Sequence, residues 1–200
     1  MVLEGPDGSG KSTQARLLAD RLGALCTREP GDTSTGRRVR ELLLDPEAVV
    51  CERAEALLMA ADRAQHVAEL VGPMLESGRD VVSDRYSASS IAYQGYGRGL
   101  PVAEVAELSR WATDGLQPDL VIMLEVPVEV TLARLGGRHD RLEALGREFH
   151  LRILSGYRRL AADNRESWVV IDGTAPVDEV HGAVWAEIDR RWPSGGPTGA

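Results

Sequence analysis

Near the start of the chain, Gly5-Pro6-Asp7-Gly8-Ser9-Gly10-Lys11-Ser12 fits the pattern GxxxxGK[ST]. An apolar Val2-Leu3 leads into it through Glu4. Ser12 to Leu22 follows with Leu17, Leu18 and Leu22 on one side of a predicted helix, and Gly23 stops it. A strand, a glycine-rich turn and a helix in that order aim backbone N–H groups and a positive helix end at one phosphate. Lys11 then reaches the β- and γ-phosphates of a nucleotide, and the Ser12 hydroxyl can ligate Mg²⁺. Few folds present such a loop; a parallel sheet with helices on its faces does so at the end of a strand.

The lysine is itself informative. Of the 23 basic residues, all but Lys11 are arginine. Where arginine has replaced lysine everywhere else, the one that remains does what a planar guanidinium cannot: it sits as a compact point charge among phosphates. A single lysine also excludes a protein kinase, which needs a strand lysine besides its glycine-rich loop. It excludes a GTPase as well, which needs a lysine to read guanine. Thirty-one acidic residues give a net charge of −8, which argues against bulk nucleic-acid binding. Apolar runs such as Leu120 to Leu124 fall far short of the ~20 residues that span a membrane. With no secretory signal, and with Cys26 and Cys51 lacking CxxC spacing, a soluble cytoplasmic protein with buried thiols is expected. The four histidines do not cluster into a zinc site.

Further strands are predicted at Asp80 to Ser83, Leu120 to Leu124 and Trp168 to Ile171. Helices are predicted over Glu52 to Leu75, with a bend at Gly72-Pro73, and over Val128 to Leu135, Leu142 to Asn164 and Pro176 to Trp192. The alternation implies an α/β protein with a doubly wound parallel sheet and helices on both faces. One domain over residues 1–192 is expected, with a small helical lid at about 136–147 and a disordered tail at 193–200. Arg85 and Asp84 end a strand, where such a sheet binds its ligands. The glycine-flanked Arg138 and Arg141 suit a lid over a nucleotide.

Several motifs in order carry a resemblance. Glu4 to Thr13, Arg28-Glu29-Pro30-Gly31, Ala60 to His66, Asp84-Arg85-Tyr86 through Gln94-Gly95, Gly97 to Leu100, and Asp140 to Glu143 before Phe149-His150 together resemble thymidylate kinase over roughly residues 2 to 175. The resemblance implies a P-loop kinase fold that transfers the γ-phosphoryl group of ATP to dTMP with Mg²⁺, giving ADP and dTDP, as a homodimer. Its ATP site would comprise Gly5, Pro6, Asp7, Gly8, Ser9, Gly10, Lys11, Ser12 and Thr13, with Arg134 and the stretch from Asp172 to Pro176 near adenine. Ser12 and Asp84 would serve the metal. Arg85, Arg28 and Arg40 would hold the acceptor phosphate, and Asp7 the sugar 3′-hydroxyl. Arg63, Ser90 and Gln94 would touch the base, and Tyr93 would pack under deoxyribose. Some relatives assist transfer with an arginine at the place of Gly8; here that charge would fall to Arg138 and Arg141.

Two positions depart from the family pattern. Met59 stands where a phenylalanine commonly stacks on thymine, and Asp32 stands where a second glycine is usual. A thioether still packs on a base face, without a planar π surface. The residues alone leave two alternatives open: another nucleoside-monophosphate kinase, and a nucleotide-binding module without catalysis.

Overall fold

The computed structural model describes residues 1–135, 141 and 145–193. Five strands, β1 (Val2–Glu4), β2 (Leu25–Arg28), β3 (Val81–Asp84), β4 (Val121–Glu125) and β5 (Trp168–Asp172), form one parallel sheet in the order β2-β3-β1-β4-β5. The central strands are short apolar runs because both of their faces are covered. Side chains alternate across β4: Ile122 and Leu124 join a core with Leu18, Val184 and Ile188, while Met123 joins a second core with Tyr93, Phe149, Ile153 and Tyr157. The first core lies under α1 (Lys11–Leu22) and α9 (Val177–Arg191), and the second under α8 (Arg147–Asp163).

Between these elements the chain forms α2 (Ser34–Leu44), α3 (Glu52–His66), α4 (Gly72–Glu76), α5 (Ser87–Ser90), α6 (Val102–Ala112) and α7 (Val128–Leu135). Segments α1 and α5 leave the neighbouring strands β1 and β3 toward opposite faces of the sheet. The crevice between those strand ends is where an open α/β sheet takes a ligand.

The predicted strands and helices are present, with ends displaced by a residue or so. The exception is α8, which starts at Arg147 rather than Leu142. Most of the expected lid, Arg138 included, and residues 194–200 of the expected tail lie outside the described residues. The long helix predicted over Glu52 to Leu75 is broken earlier than at Gly72-Pro73: a π-helical turn, Val67–Val71, separates α3 from α4. Pro73 lacks an N–H and its ring crowds the turn before it, and the wider turn relieves both. The elements β2, α2 and α6 and the π-helical Ile91–Gly97 were not among those expected. Strand β2 is an edge strand with outward polar residues, and Ile91–Gly97 carries two glycines. The two cysteines are a correction: both are exposed. Cys26 points out from the edge strand, and Cys51 precedes α3 in an exposed connection.

Candidate active site

Strand register brings the functional groups together. Leu3 pairs with Asp84, and Arg28 on β2 pairs with the same Asp84, so three strand ends open side by side. The phosphate loop leaves β1 there. Gly5 adopts φ +138°, and a Cβ on it would lie 2.5 Å from the Leu124 carbonyl, so no other residue fits. The Lys11 Nζ donates to the Pro6 carbonyl at 2.7 Å and folds over the loop. Burial pushes its ammonium down, helped by the Arg85 charge, to about 8.

Arg85 is held in the left-handed region, φ +75°, at the turn after β3. Its Nη2 donates to Asp7 Oδ1 at 2.5 Å and to the Tyr93 hydroxyl at 3.1 Å. Its Nη1 donates to Ser89 Oγ, the Tyr157 hydroxyl and the Gly5 carbonyl at 3.0–3.2 Å. The Tyr93 hydroxyl donates to Asp7 Oδ2 at 2.6 Å. Burial alone would raise the Asp7 carboxyl; the Arg85 and Lys11 charges outweigh it and hold the group well below the usual carboxylate range.

Two cavities adjoin across this cluster. One is lined by Gly8, Gly10, Lys11, Ser12, Thr13, Arg28 and Asp84. The other is lined by Pro30, Leu44, Met59, Arg63, Ser89, Ser90, Tyr93 and Gln94. Asp7, Glu29, Arg40 and Arg85 line both and form the wall between them. The Ser12 hydroxyl donates to Asp84 Oδ2, and Asp84 Oδ1 is buried without a hydrogen-bond partner among the described residues. A hydroxyl and an orphaned carboxylate oxygen are hard donors of the kind Mg²⁺ takes alongside phosphates and water, so the residues fit that ion.

Arg134 Nη1 donates to the carbonyls of Gly8 and Gly173, both at 3.1 Å, so it ties the loop to the turn after β5. Arg40 donates to the Pro30 carbonyl at 2.9 Å. Asp32 also finds a partner: it accepts from Arg28 Nε at 3.2 Å and from Thr27 Oγ1 at 2.9 Å, and so turns Arg28 along its own loop. Of the two arginines expected to assist transfer, Arg138 lies outside the described residues. Arg141 does not face the phosphate loop; its Nη2 donates to Glu55 at 2.7 Å and its Nε to the Leu43 carbonyl at 2.9 Å. A fully buried carboxylate must be paired, and Arg141 is drawn to it.

Sequence reasoning overlooked a supporting layer of buried acids and their partners. Glu4 accepts from Ser89 Oγ, the Tyr157 hydroxyl and the Tyr86 and Ser89 backbone. Burial raises its carboxyl against those bonds and the Arg85 charge. Glu29 binds Arg63 Nε at 2.7 Å, and its other oxygen lies 2.8 Å from His66 Nδ1. Arg63 donates further to Ser90 Oγ and to the Tyr86 carbonyl. The available signal was Glu4 itself, an acid closing an apolar strand just before the loop.

The chain is similar to known proteins over nearly its whole length. The family model described as thymidylate kinase matches residues 3–184. The thymidylate kinase of Leifsonia xyli is 48% identical over 96% of this chain and 94% of its own, and that of Halothermothrix orenii is 44% identical over 94% and 95%. The crystal structure of thymidylate kinase from Ehrlichia chaffeensis superposes with a TM-score of 0.78 at 30% identity, covering 94% of this chain and 96% of that one. A phosphate loop, an arginine at the next strand end and a second cavity across a shared wall thus occur in a chain that belongs to the thymidylate kinase family.

Proposed function

We propose that the two adjoining cavities hold the two substrates, ATP over the phosphate loop and dTMP beside Met59 and Arg63, with the phosphoryl group crossing at Asp7 and Arg85. The family's reaction is ATP + dTMP → ADP + dTDP, and this chain is an enzyme of that kind. A phosphate oxygen of dTMP bonds to the γ-phosphorus as the bond to the β,γ-bridging oxygen breaks, and ADP leaves with that electron pair. The reaction needs no protein nucleophile; positioning and charge neutralisation supply the rate. The observation that carries the reading is the shared wall, because two cavities lined in part by the same residues would bring the two substrates side by side.

Lys11 and the backbone of the loop bind the transferring phosphates. Arg85 exchanges its pairing with Asp7 for the acceptor phosphate, which leaves the Asp7 carboxylate to the sugar 3′-hydroxyl. Arg28 and Arg40 add positive charge at the same edge. Tyr93 packs under the sugar, while Arg63, Ser90 and Gln94 read the base and Met59 covers its face. Arg134 and the turn after β5 border adenine. Ser12 and Asp84 would hold Mg²⁺, which when bound neutralises phosphate charge. The enzyme works as a cytoplasmic homodimer, and exposed apolar residues on α3 and α6, Leu57 and Trp111, support a subunit contact there.

Replacing Arg85 by alanine tests the acceptor assignment. It is expected to lower kcat/KM for dTMP by about 10²–10³, the scale for one preorganised charge, while ATP binding stays near wild type. A variant that lost ATP binding instead would move Arg85 to the donor side.

A further inference from the structure

Glu55 has no part in the chemistry above, yet it is fully buried on α3. Its Oε1 accepts from Gln94 Nε2 at 2.9 Å and from Arg98 Nε at 3.2 Å. Its Oε2 accepts from Arg98 Nη2 and Arg141 Nη2, both at 2.7 Å. Burial pushes the carboxyl up, but the hydrogen bonds from Arg98, Gln94 and Arg141 outweigh it and hold the group below the usual carboxylate range. An ionised carboxylate accepts hydrogen bonds and cannot donate them.

That leaves the Gln94 amide one orientation. Its NH₂ faces Glu55, so its carbonyl oxygen must face elsewhere. The oxygen is buried and has no hydrogen-bond partner among the described residues, and Gln94 lines the cavity that also holds Met59 and Arg63. A buried carbonyl left without a partner is costly and calls for a donor.

We propose that Glu55 is a specificity-positioning residue: it locks the Gln94 amide with its oxygen toward the acceptor cavity, so that the cavity selects a base presenting a ring N–H over one presenting a bare ring nitrogen. Thymine and uracil carry N–H at N3. Cytosine carries a lone pair there, which would meet the Gln94 oxygen as acceptor against acceptor. The inference rests on Gln94 facing the base, as proposed above. Glutamine at position 55 could donate as well as accept, and the Gln94 amide would then be free to turn over.

The test is the ratio of kcat/KM for dTMP to that for dCMP, measured on one preparation so that the fraction of active protein cancels. Glu55→Gln is expected to lower this ratio by about tenfold or more, because a polar site discriminates only while its hydrogen-bond sense is fixed. The change should come mainly through KM for dTMP, with KM for ATP unmoved. Glu55→Asp keeps a charge for both arginines but draws its oxygens back from Gln94. It should shift the ratio the same way, and serves if Glu55→Gln folds poorly. Gln94→Ala separates the two levels. If it leaves the ratio unchanged, Gln94 does not read the base and the underlying reading fails. If Gln94→Ala lowers the ratio while both Glu55 variants keep it, the role of Glu55 alone is overturned.

Discussion

Lys11 shows how one residue's surroundings set its behaviour. Packed against the loop and close to Arg85, its ammonium is pushed down to about 8. Phosphates arriving beside it favour the charged form and raise that value again. ATP binding at a pH of about 8.5 is therefore expected to take up protons, and affinity for ATP should fall as pH climbs above 8. Calorimetric titration in buffers of different ionisation enthalpy measures the uptake directly, and Lys11→Ala should abolish this part of it. Binding with no proton uptake at that pH would contradict the assignment. At this scale the sequence was legible where residues belong to a motif: Lys11, Ser12, Asp84 and Arg85 line one cavity, the neighbourhood their motifs lead one to expect. Arg141 was not legible, because its guanidinium answers to a buried carboxylate 86 positions away. Nor was Asp32, whose partner is the neighbouring Arg28.

Among the elements, α3 carries the most. Glu55, Met59, Asp62, Arg63 and His66 recur at helical spacing, and Met59 and Arg63 line the second cavity, where apolar residues alone would have built a plain core face. Asp62 binds the rim of that cavity to the helix by accepting from the Gly31 N–H at 3.0 Å. Burial and the neighbouring Glu29 charge push its carboxyl up to about 6. A carboxyl raised in this way supports the fold only while protonated. Its contribution is complete below the unfolded value of 3.8 and is lost as pH rises through 6. Asp62→Asn keeps a carbonyl for Gly31 and removes the titration. Relative to wild type the variant is expected to gain several degrees in melting temperature on going from about pH 5 to about pH 7.5. An offset that is the same at both pH values would show that Asp62 does not titrate in that window. The expected elements include this helix but not its partner α2, although Val39, Leu42 and Leu43 recur at helical spacing there beside outward arginines.

For the whole molecule, the doubly wound parallel sheet could be read from alternating apolar strands and helices, and the order β2-β3-β1-β4-β5 then brings the ends of β1, β2 and β3 together. Which strands neighbour one another is settled by contacts distant in sequence, and no local pattern encodes it. The same holds for the proposed subunit contact. Trp111 on α6 is 76% exposed and Leu57 on α3 is 58% exposed, an apolar pair on adjacent helices that a second copy would cover. Trp111→Glu is expected to convert a dimer to a monomer in sedimentation at micromolar concentration, because a charge at the centre of such a patch is left unpaired. A wild-type chain that sediments as a monomer would overturn the proposed assembly.

On the proposed reading, this cleft moves a phosphoryl group from ATP to dTMP across a wall that includes Asp7 and Arg85. Its most direct test is coupled ADP release with Mg-ATP, offering dTMP, dUMP, UMP, CMP and AMP in turn, with Lys11→Ala alongside. ADP formed with dTMP in clear preference to the other acceptors, and reduced by about 10³ or more in Lys11→Ala, is the predicted result. Faster turnover with another monophosphate, or ADP release that does not depend on an acceptor, would contradict it.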